Sequence, residues 1–158
     1  MYTYTLGFIK RKHELLMINR EKAPWLGAWN GLGGKRLPNE SPMDCIIREI
    51  KEEAHIVVTE EHIKACGYLT WNSFDVHGKG LYLFVIEVDD DFIYPTPIQT
   101  REGILDWKHI DWIMNAQNTG IAHNIPYFIE KILYDEQIYH FHCTFENNQL
   151  IEVTWEAL

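Results

Sequence analysis

Gly31-Leu-Gly-Gly34-Lys-Arg-Leu-Pro-Asn-Glu40-Ser-Pro-Met-Asp-Cys-Ile-Ile-Arg48-Glu49-Ile-Lys-Glu52-Glu53-Ala-His55-Ile56 reads as a glycine loop, a helix start and a helix crowded with carboxylates. Ser41 is a good N-cap, Pro42 suits the first helical position, and Asp44 complements the helix dipole three residues past the cap. Met43, Ile46, Ile47, Ile50 and Ala54 recur at three- and four-residue steps, so one side of a helix over 42–54 is buried. Glu49, Glu52 and Glu53 fall on another side, close enough to share a cation. Like charges at this spacing cost a helix roughly 0.2–0.5 kcal/mol per pair, and Lys51 and Arg48 offset only part of that. Such oxygen clusters suit hard divalent cations such as Mg²⁺ or Mn²⁺. A solvated acidic face is the plain alternative. Gly33-Gly34 tips the balance, because it lets the backbone approach a metal or a phosphate closely.

The stretch resembles the Nudix box: a glycine, five residues, Glu, seven residues, then Arg-Glu-aliphatic-x-Glu-Glu-x-Gly-aliphatic. Gly34, Glu40, Arg48, Glu49, Ile50, Glu52, Glu53 and Ile56 match in register. His55 stands where the pattern has Gly, a position that ends the helix in a left-handed conformation and strains any residue with a Cβ. The resemblance implies a single α/β domain over 1–158, with the Nudix fold of an α/β/α sandwich around a mixed sheet. It also implies that Glu49, Glu52, Glu53 and the Gly33 carbonyl hold Mg²⁺, with Mn²⁺ as the alternative. Arg48 would orient the carboxylate row, and Glu40 would support the loop and the helix start.

The likeness continues beyond the box. Tyr4-Thr5-Leu6, Leu15-Leu16 and Trp29-Asn-Gly-Leu-Gly-Gly-Lys35 resemble the Nudix branch that hydrolyses oxidised purine nucleoside triphosphates such as 8-oxo-dGTP. That likeness carries a purine contact to Asn30, a base-pocket position to Thr5, an aromatic one to Trp71 and a cation near the rim to Arg20. Lys35 could meet phosphate or be an ordinary surface lysine. Glu102, in Thr100-Arg-Glu-Gly103, would by itself be a solvated loop residue. The resemblance makes it a metal ligand or base. One departure stands out: the oxidised-purine branch has adjacent aspartates before its second helix, where this chain reads Asn118-Thr-Gly-Ile-Ala-His-Asn124.

Outward from the box, Tyr2 to Ile9 reads as a strand, Arg11-Lys12-His13 as a turn, and Glu14 to Asn19 as the returning strand. Arg20 to Asn30 is a tryptophan-containing loop. Lys64 to Ser73 and Gly80 to Val88 form a hairpin around Val76-His-Gly-Lys-Gly80. Asp89 to Pro97 is an exposed loop, Ile104 to Trp107 a short strand and Ile110 to Ala116 a brief helix. Asn124 caps a helix over Ile125 to Tyr134 with Pro126 in its first turn. Tyr139, Phe141, Cys143 and Phe145 then alternate with His140, His142 and Thr144, and Asn147-Asn148 turns into Leu150 to Trp155. His140 and His142 read as ordinary strand residues, lacking a third ligand nearby. Most tryptophans should be core, with Trp29 and Trp71 placed where a base could stack.

A chain of 158 residues with 46% hydrophobic content suits one globular domain. A net charge of −9 excludes non-specific binding to a nucleic acid backbone and means a polyphosphate needs metal ions and local cations. Cys45, Cys66 and Cys143 are odd in number and far apart, which favours buried free thiols over a disulfide frame or a zinc site. No basic-then-apolar leader and no apolar run of membrane length is present, so the expected setting is the cytoplasm without membrane contact. The expected partner is a nucleoside triphosphate, bound by a monomer or homodimer. Metal-assisted attack of water on phosphorus would follow, with Glu49, Glu52 or Glu102 taking the proton. Other Nudix substrates (ADP-ribose, a dinucleotide, an unmodified NTP) and a nucleotide-binding module without turnover are the competing readings.

Overall fold

A computed structural model describes residues 2–22, 26–72 and 80–158, and in it the chain is built on one mixed sheet. Its elements are β1 (Tyr4–Arg11), β2 (Glu14–Arg20), β3 (Trp29–Asn30), α1 (Pro42–Ala54), β4 (Ile63–Trp71), β5 (Gly80–Glu87), β6 (Ile98–Gln99), β7 (Gly103–His109), α2 (Ile110–Met114), α3 (Ile125–Tyr134), β8 (Tyr139–Glu146) and β9 (Gln149–Ala157). The described strands run β6-β7-β2-β1-β5-β4-β8-β9, with β3 paired to β2. β1 lies parallel to β5 and β4 parallel to β8, while the remaining pairings are antiparallel.

Both faces of the sheet are covered, which makes the α/β/α sandwich. Because strand side chains alternate, Ile9, Leu16, Ile18, Phe84 and Ile86 pack under α1 against Ile46, Ile50 and Ala54. Phe8, Leu15, Met17, Leu83 and Val85 point the other way, onto Phe128, Ile129 and Ile132 of α3. Ile46 and Ile50 are fully buried, each contributing about 1.5–3 kcal/mol by that burial. α1 begins and ends as its sequence dictates. Ser41 Oγ accepts the Asp44 N–H at 3.0 Å, and Pro42 opens the helix. His55 closes it at φ 58°, donating its N–H to Lys51 O at 3.0 Å, so the helix ends here without the box glycine.

Several boundaries differ from those read in the sequence. The first strand starts at Tyr4 and runs to Arg11, because Tyr2 instead packs its ring, tilted, against Tyr68 and Tyr82, while Lys10 and Arg11 pair with Leu15 and Glu14. The turn shrinks to Lys12-His13, and β7 extends past Ile104–Trp107 in both directions along β2. Asn124 occupies the cap position of α3 but makes no capping hydrogen bond. Tryptophan is less central than expected: Trp107 is buried, Trp29 and Trp71 are half-buried, and Trp112 and Trp155 are exposed. β4 and β5 do pair as a hairpin. Its tip at 73–79 lies outside the described residues, as does Trp25. No described helix is long and apolar enough to cross a membrane.

Candidate active site

The glycine loop and α1 meet through tight backbone packing. Gly33 has φ +154°, and a Cβ there would run into the Thr5 carbonyl; a Cβ on Gly34 would sit 2.6 Å from Glu49 Oε1. The Gly34 carbonyl accepts the Thr5 N–H at 2.9 Å. Arg48 ties loop to helix. Its Nε and Nη2 grip Glu40 at 2.7 and 2.9 Å, Nη2 also reaches the Lys35 carbonyl at 3.1 Å, and Nη1 reaches Glu49 and Glu52 at 2.9 and 3.2 Å. This fork and the Leu37 N–H hold the Glu40 carboxyl down at about 2, while its carboxylate neighbours raise Arg48 further above its ordinary value.

The three carboxylates of the row are not equivalent. The Glu52 side chain is 60% exposed, whereas that of Glu49 is 15% exposed. Glu53 is largely buried, and burial first, then the charge and hydrogen bond of Glu49 and the charge of Glu102, push its carboxyl up to about 8. Arg20 pulls the other way. Glu102 stands on the loop closed by Thr100 Oγ1, which accepts the Glu102 and Gly103 N–H groups at 3.2 Å, and its charge is felt by Glu53. Among the described residues no three His, Cys, Asp or Glu side chains are already closed into a ligand set. Glu49 spends one oxygen on Arg48 and lies close enough to Glu53 to raise its carboxyl. A crowded all-oxygen donor set whose carboxylates repel one another fits a hard divalent cation.

Beside this row opens a cavity of about 630 Å³. Thr5, Arg20, Asn30, Gly33 and Gly34 line the end nearest α1, and Trp71 stands in its wall. Four of the sequence-derived binding residues are thus drawn into one space, and the row's glycine loop borders it. Lys35 is not: it lies exposed on a separate depression with Thr3, Arg36 and Leu37, since its strand-like bridge to Tyr4 turns it outward. Trp29 lies under Lys108, whose Nζ sits 4.2 Å from its ring centre, and does not line the cavity. Arg20 Nε is buried and makes no hydrogen bond among the described residues. Asn30 folds its Oδ1 onto the Gly31 N–H at 2.8 Å, which leaves the Nδ2 end for the cavity.

The far wall was not legible beforehand. Tyr4, Leu6, Leu69, Leu81 and Phe145 make it apolar, with His123, Asn124 and Asn148 at its polar points. His123 and Asn124 close the stretch that lacks the aspartate pair, and among the described residues the cavity's lining has no acid. Burial lowers the pKa of the His123 imidazole. His140 and His142 lie elsewhere, each 2.7 Å from the Thr70 hydroxyl, which satisfies both as strand residues. Cys45, Cys66 and Cys143 are free and buried.

The family model of the NUDIX domain matches residues 4–130. The oxidized purine nucleoside triphosphate hydrolase of Mus musculus is 28% identical over 110 residues, 70% of this chain and 67% of that protein. A MutT protein from Bacillus halodurans superposes with a TM-score of 0.75 at 21% identity, over 99% of this chain and 98% of that one. The NUDIX domain of Shewanella oneidensis NrtR, solved with ADP ribose, superposes with a TM-score of 0.61 at 17% identity, over 84% and 88% of the two chains.

Proposed function

We propose that this chain, which belongs to the Nudix family of pyrophosphohydrolases, hydrolyses purine nucleoside triphosphates to a monophosphate and pyrophosphate, oxidised purines such as 8-oxo-dGTP foremost. The observation that carries this reading is the junction of an aromatic-walled cavity with the carboxylate row at Gly33-Gly34. The flat apolar wall suits a base, and Asn30 offers it a donor. The similarity to the mouse oxidized purine nucleoside triphosphate hydrolase supports the same choice.

Nudix hydrolases generally use divalent metal ions, and we assign Mg²⁺ to Glu49, Glu52, Glu53 and the Gly33 carbonyl, with Glu102 at hand from the opposite loop. When bound, the ion neutralises phosphate oxygens and makes a water more acidic. Arg48 orients Glu49, and Glu40 anchors Arg48. Arg20, a cation between the cavity and Glu53, faces the phosphates as they leave the base pocket. One of Glu49, Glu52 and Glu102 accepts the proton of the attacking water.

A second reading is a Nudix pyrophosphatase for a nucleoside diphosphate derivative such as ADP-ribose. The missing aspartate pair in residues 118–124 favours it, as does the fold shared with the ADP-ribose-bound NrtR domain. Pyrophosphate and phosphomonoester release with Mg²⁺, measured across 8-oxo-dGTP, dGTP, the other dNTPs and ADP-ribose, decides between them. We expect 8-oxo-dGTP to give the highest kcat/KM. A preference for ADP-ribose would transfer the assignment to the second reading, and no turnover at all would leave a nucleotide-binding module.

A further inference from the structure

We propose that Asn72 is a positioning residue that sets the aromatic wall of the cavity and, through it, the preference for the base. The inference rests on the reading that this cavity receives the base.

The parallel pairing of β4 with β8 runs from Gly67↔Tyr139 to Trp71↔Cys143 and stops there. The pairing of β8 with β9 changes register between Thr144 and Phe145. Phe145 therefore sits beyond the end of one ladder and on the irregularity of the other. The β8–β9 ladder resumes at Phe145↔Leu150, so it is the β4–β8 ladder that ends short of Phe145. The Asn72 side chain supplies the missing rung. Its Oδ1 accepts the Phe145 N–H at 2.8 Å, and its Nδ2 donates to the Phe145 carbonyl at 3.2 Å. A side-chain amide carries the same donor and acceptor as a peptide unit, so one residue engages both backbone groups of Phe145.

What this rung holds is the cavity wall. Trp71 precedes Asn72 in the chain, and Phe145, two residues past the partner of Trp71, lies on the same sheet face; both line the cavity. The Phe145 ring packs on His123, 5.9 Å between centres, in the turn that leads into α3. Asn148, at φ 63° in the β8–β9 turn, completes the rim three residues on. Three separate elements thus meet at the point fixed by the Asn72 amide, while Asn72 itself is exposed and does not line the cavity. A planar base between such walls is sensitive to small displacements of either ring.

The test compares steady-state kinetics of the full chain and its Asn72→Ala variant on a purine and a pyrimidine deoxynucleoside triphosphate with Mg²⁺. We expect the purine KM to rise about 5- to 10-fold with kcat within about 2-fold, and the pyrimidine KM to change little. Asn72→Asp keeps the acceptor for the Phe145 N–H but not the donor, and should fall between the two; it also serves if Asn72→Ala does not fold. Equal losses on both substrates, or none, in the variant that folds would overturn the inference. Trp71→Ala in the same assay separates the two levels. If it alters the purine-to-pyrimidine ranking and Asn72→Ala does not, only the role of Asn72 is lost. If it leaves the ranking unchanged, the cavity is not the base site and both fall.

Discussion

Arg48 grips both carboxylate oxygens of Glu40, Nε to Oε2 at 2.7 Å and Nη2 to Oε1 at 2.9 Å, and spends its remaining arm on Glu49 Oε1 at 2.9 Å. The glycine loop and the carboxylate row are thereby parts of one charged network, and Glu49 is aimed by a residue anchored outside the row. A lysine at 48 would supply a point charge but could not serve both Glu40 oxygens and Glu49 together. Arg48→Lys should therefore lower kcat/KM by about 10- to 100-fold, as is usual for residues that orient metal ligands, with an unchanged far-ultraviolet spectrum. A loss under twofold would mean that Glu49 is aimed by its own packing.

Glu53 gives the metal-free protein a pH dependence of definite sign. Its carboxyl is pushed up to about 8 in the fold, so it keeps its proton at neutral pH. Stability from this group is present below the unfolded carboxyl range and is lost as pH rises through about 8. Without divalent ions, Tm should be lower at pH 9 than at pH 6, falling up to about pH 8 and levelling beyond it, and Glu53→Gln should remove most of that slope, gaining roughly 2 kcal/mol or about 5 °C at pH 9. Mg²⁺ should reverse the trend for the parent chain and not for Glu53→Gln. Melting curves with EDTA and with Mg²⁺ at both pH values suffice. Parallel curves for the two proteins would remove Glu53 from the site.

His55 ends α1 at φ 58°, ψ 30°, a conformation that strains a residue with a Cβ. His55→Gly should raise stability by about 0.5–1 kcal/mol, because relief of that strain exceeds the entropy that glycine adds to the unfolded chain. The urea midpoint should rise at constant slope, and kcat/KM should stay within error. A destabilised variant would show that the exposed imidazole contributes a contact worth more than the strain.

These cases mark what the chain reveals by itself. α1 was legible because its cap, first-turn proline, apolar spacing and acidic row all lie within one stretch, and each acts through neighbours three or four residues away. The strands β1 and β2 were legible from their apolar runs about the turn at Arg11-Lys12-His13, and β8 and β9 from the alternation of 139–145 and the Asn147-Asn148 turn. The inequality of Glu49, Glu52 and Glu53 was not, because the charges that act on Glu53 include Glu102 and Arg20, which come from the loop before β7 and from β2. Phe145, His123 and Asn148 escaped for the same reason: they reach the cavity through distant pairings, β4 with β8 and Trp29 with Ile121, that no local spacing encodes. Lys35 shows the converse, a residue whose two readings, phosphate ligand and surface lysine, the sequence left equal. A lysine beside a glycine loop looks like a phosphate ligand, yet strand-like pairing of its backbone with Tyr4 turns the side chain away from the cavity.

Arg20 couples the two halves of the site. It lines the cavity, its Nε is buried without a hydrogen-bond partner among the described residues, and its charge is the one influence that lowers the Glu53 carboxyl. Removing that charge should act in two ways at once. KM for a nucleoside triphosphate should rise about tenfold in Arg20→Gln, since a charge-assisted bond to phosphate is worth roughly 1.5–3 kcal/mol. Glu53 should also hold its proton to higher pH, so the pH at which Mg²⁺ binds half-maximally, followed by calorimetry without nucleotide, should move upward. A raised KM with an unmoved metal profile would place Arg20 on the substrate alone. If the metal profile moves and KM does not, Arg20 serves the carboxylate row and the cavity's cation must be sought elsewhere.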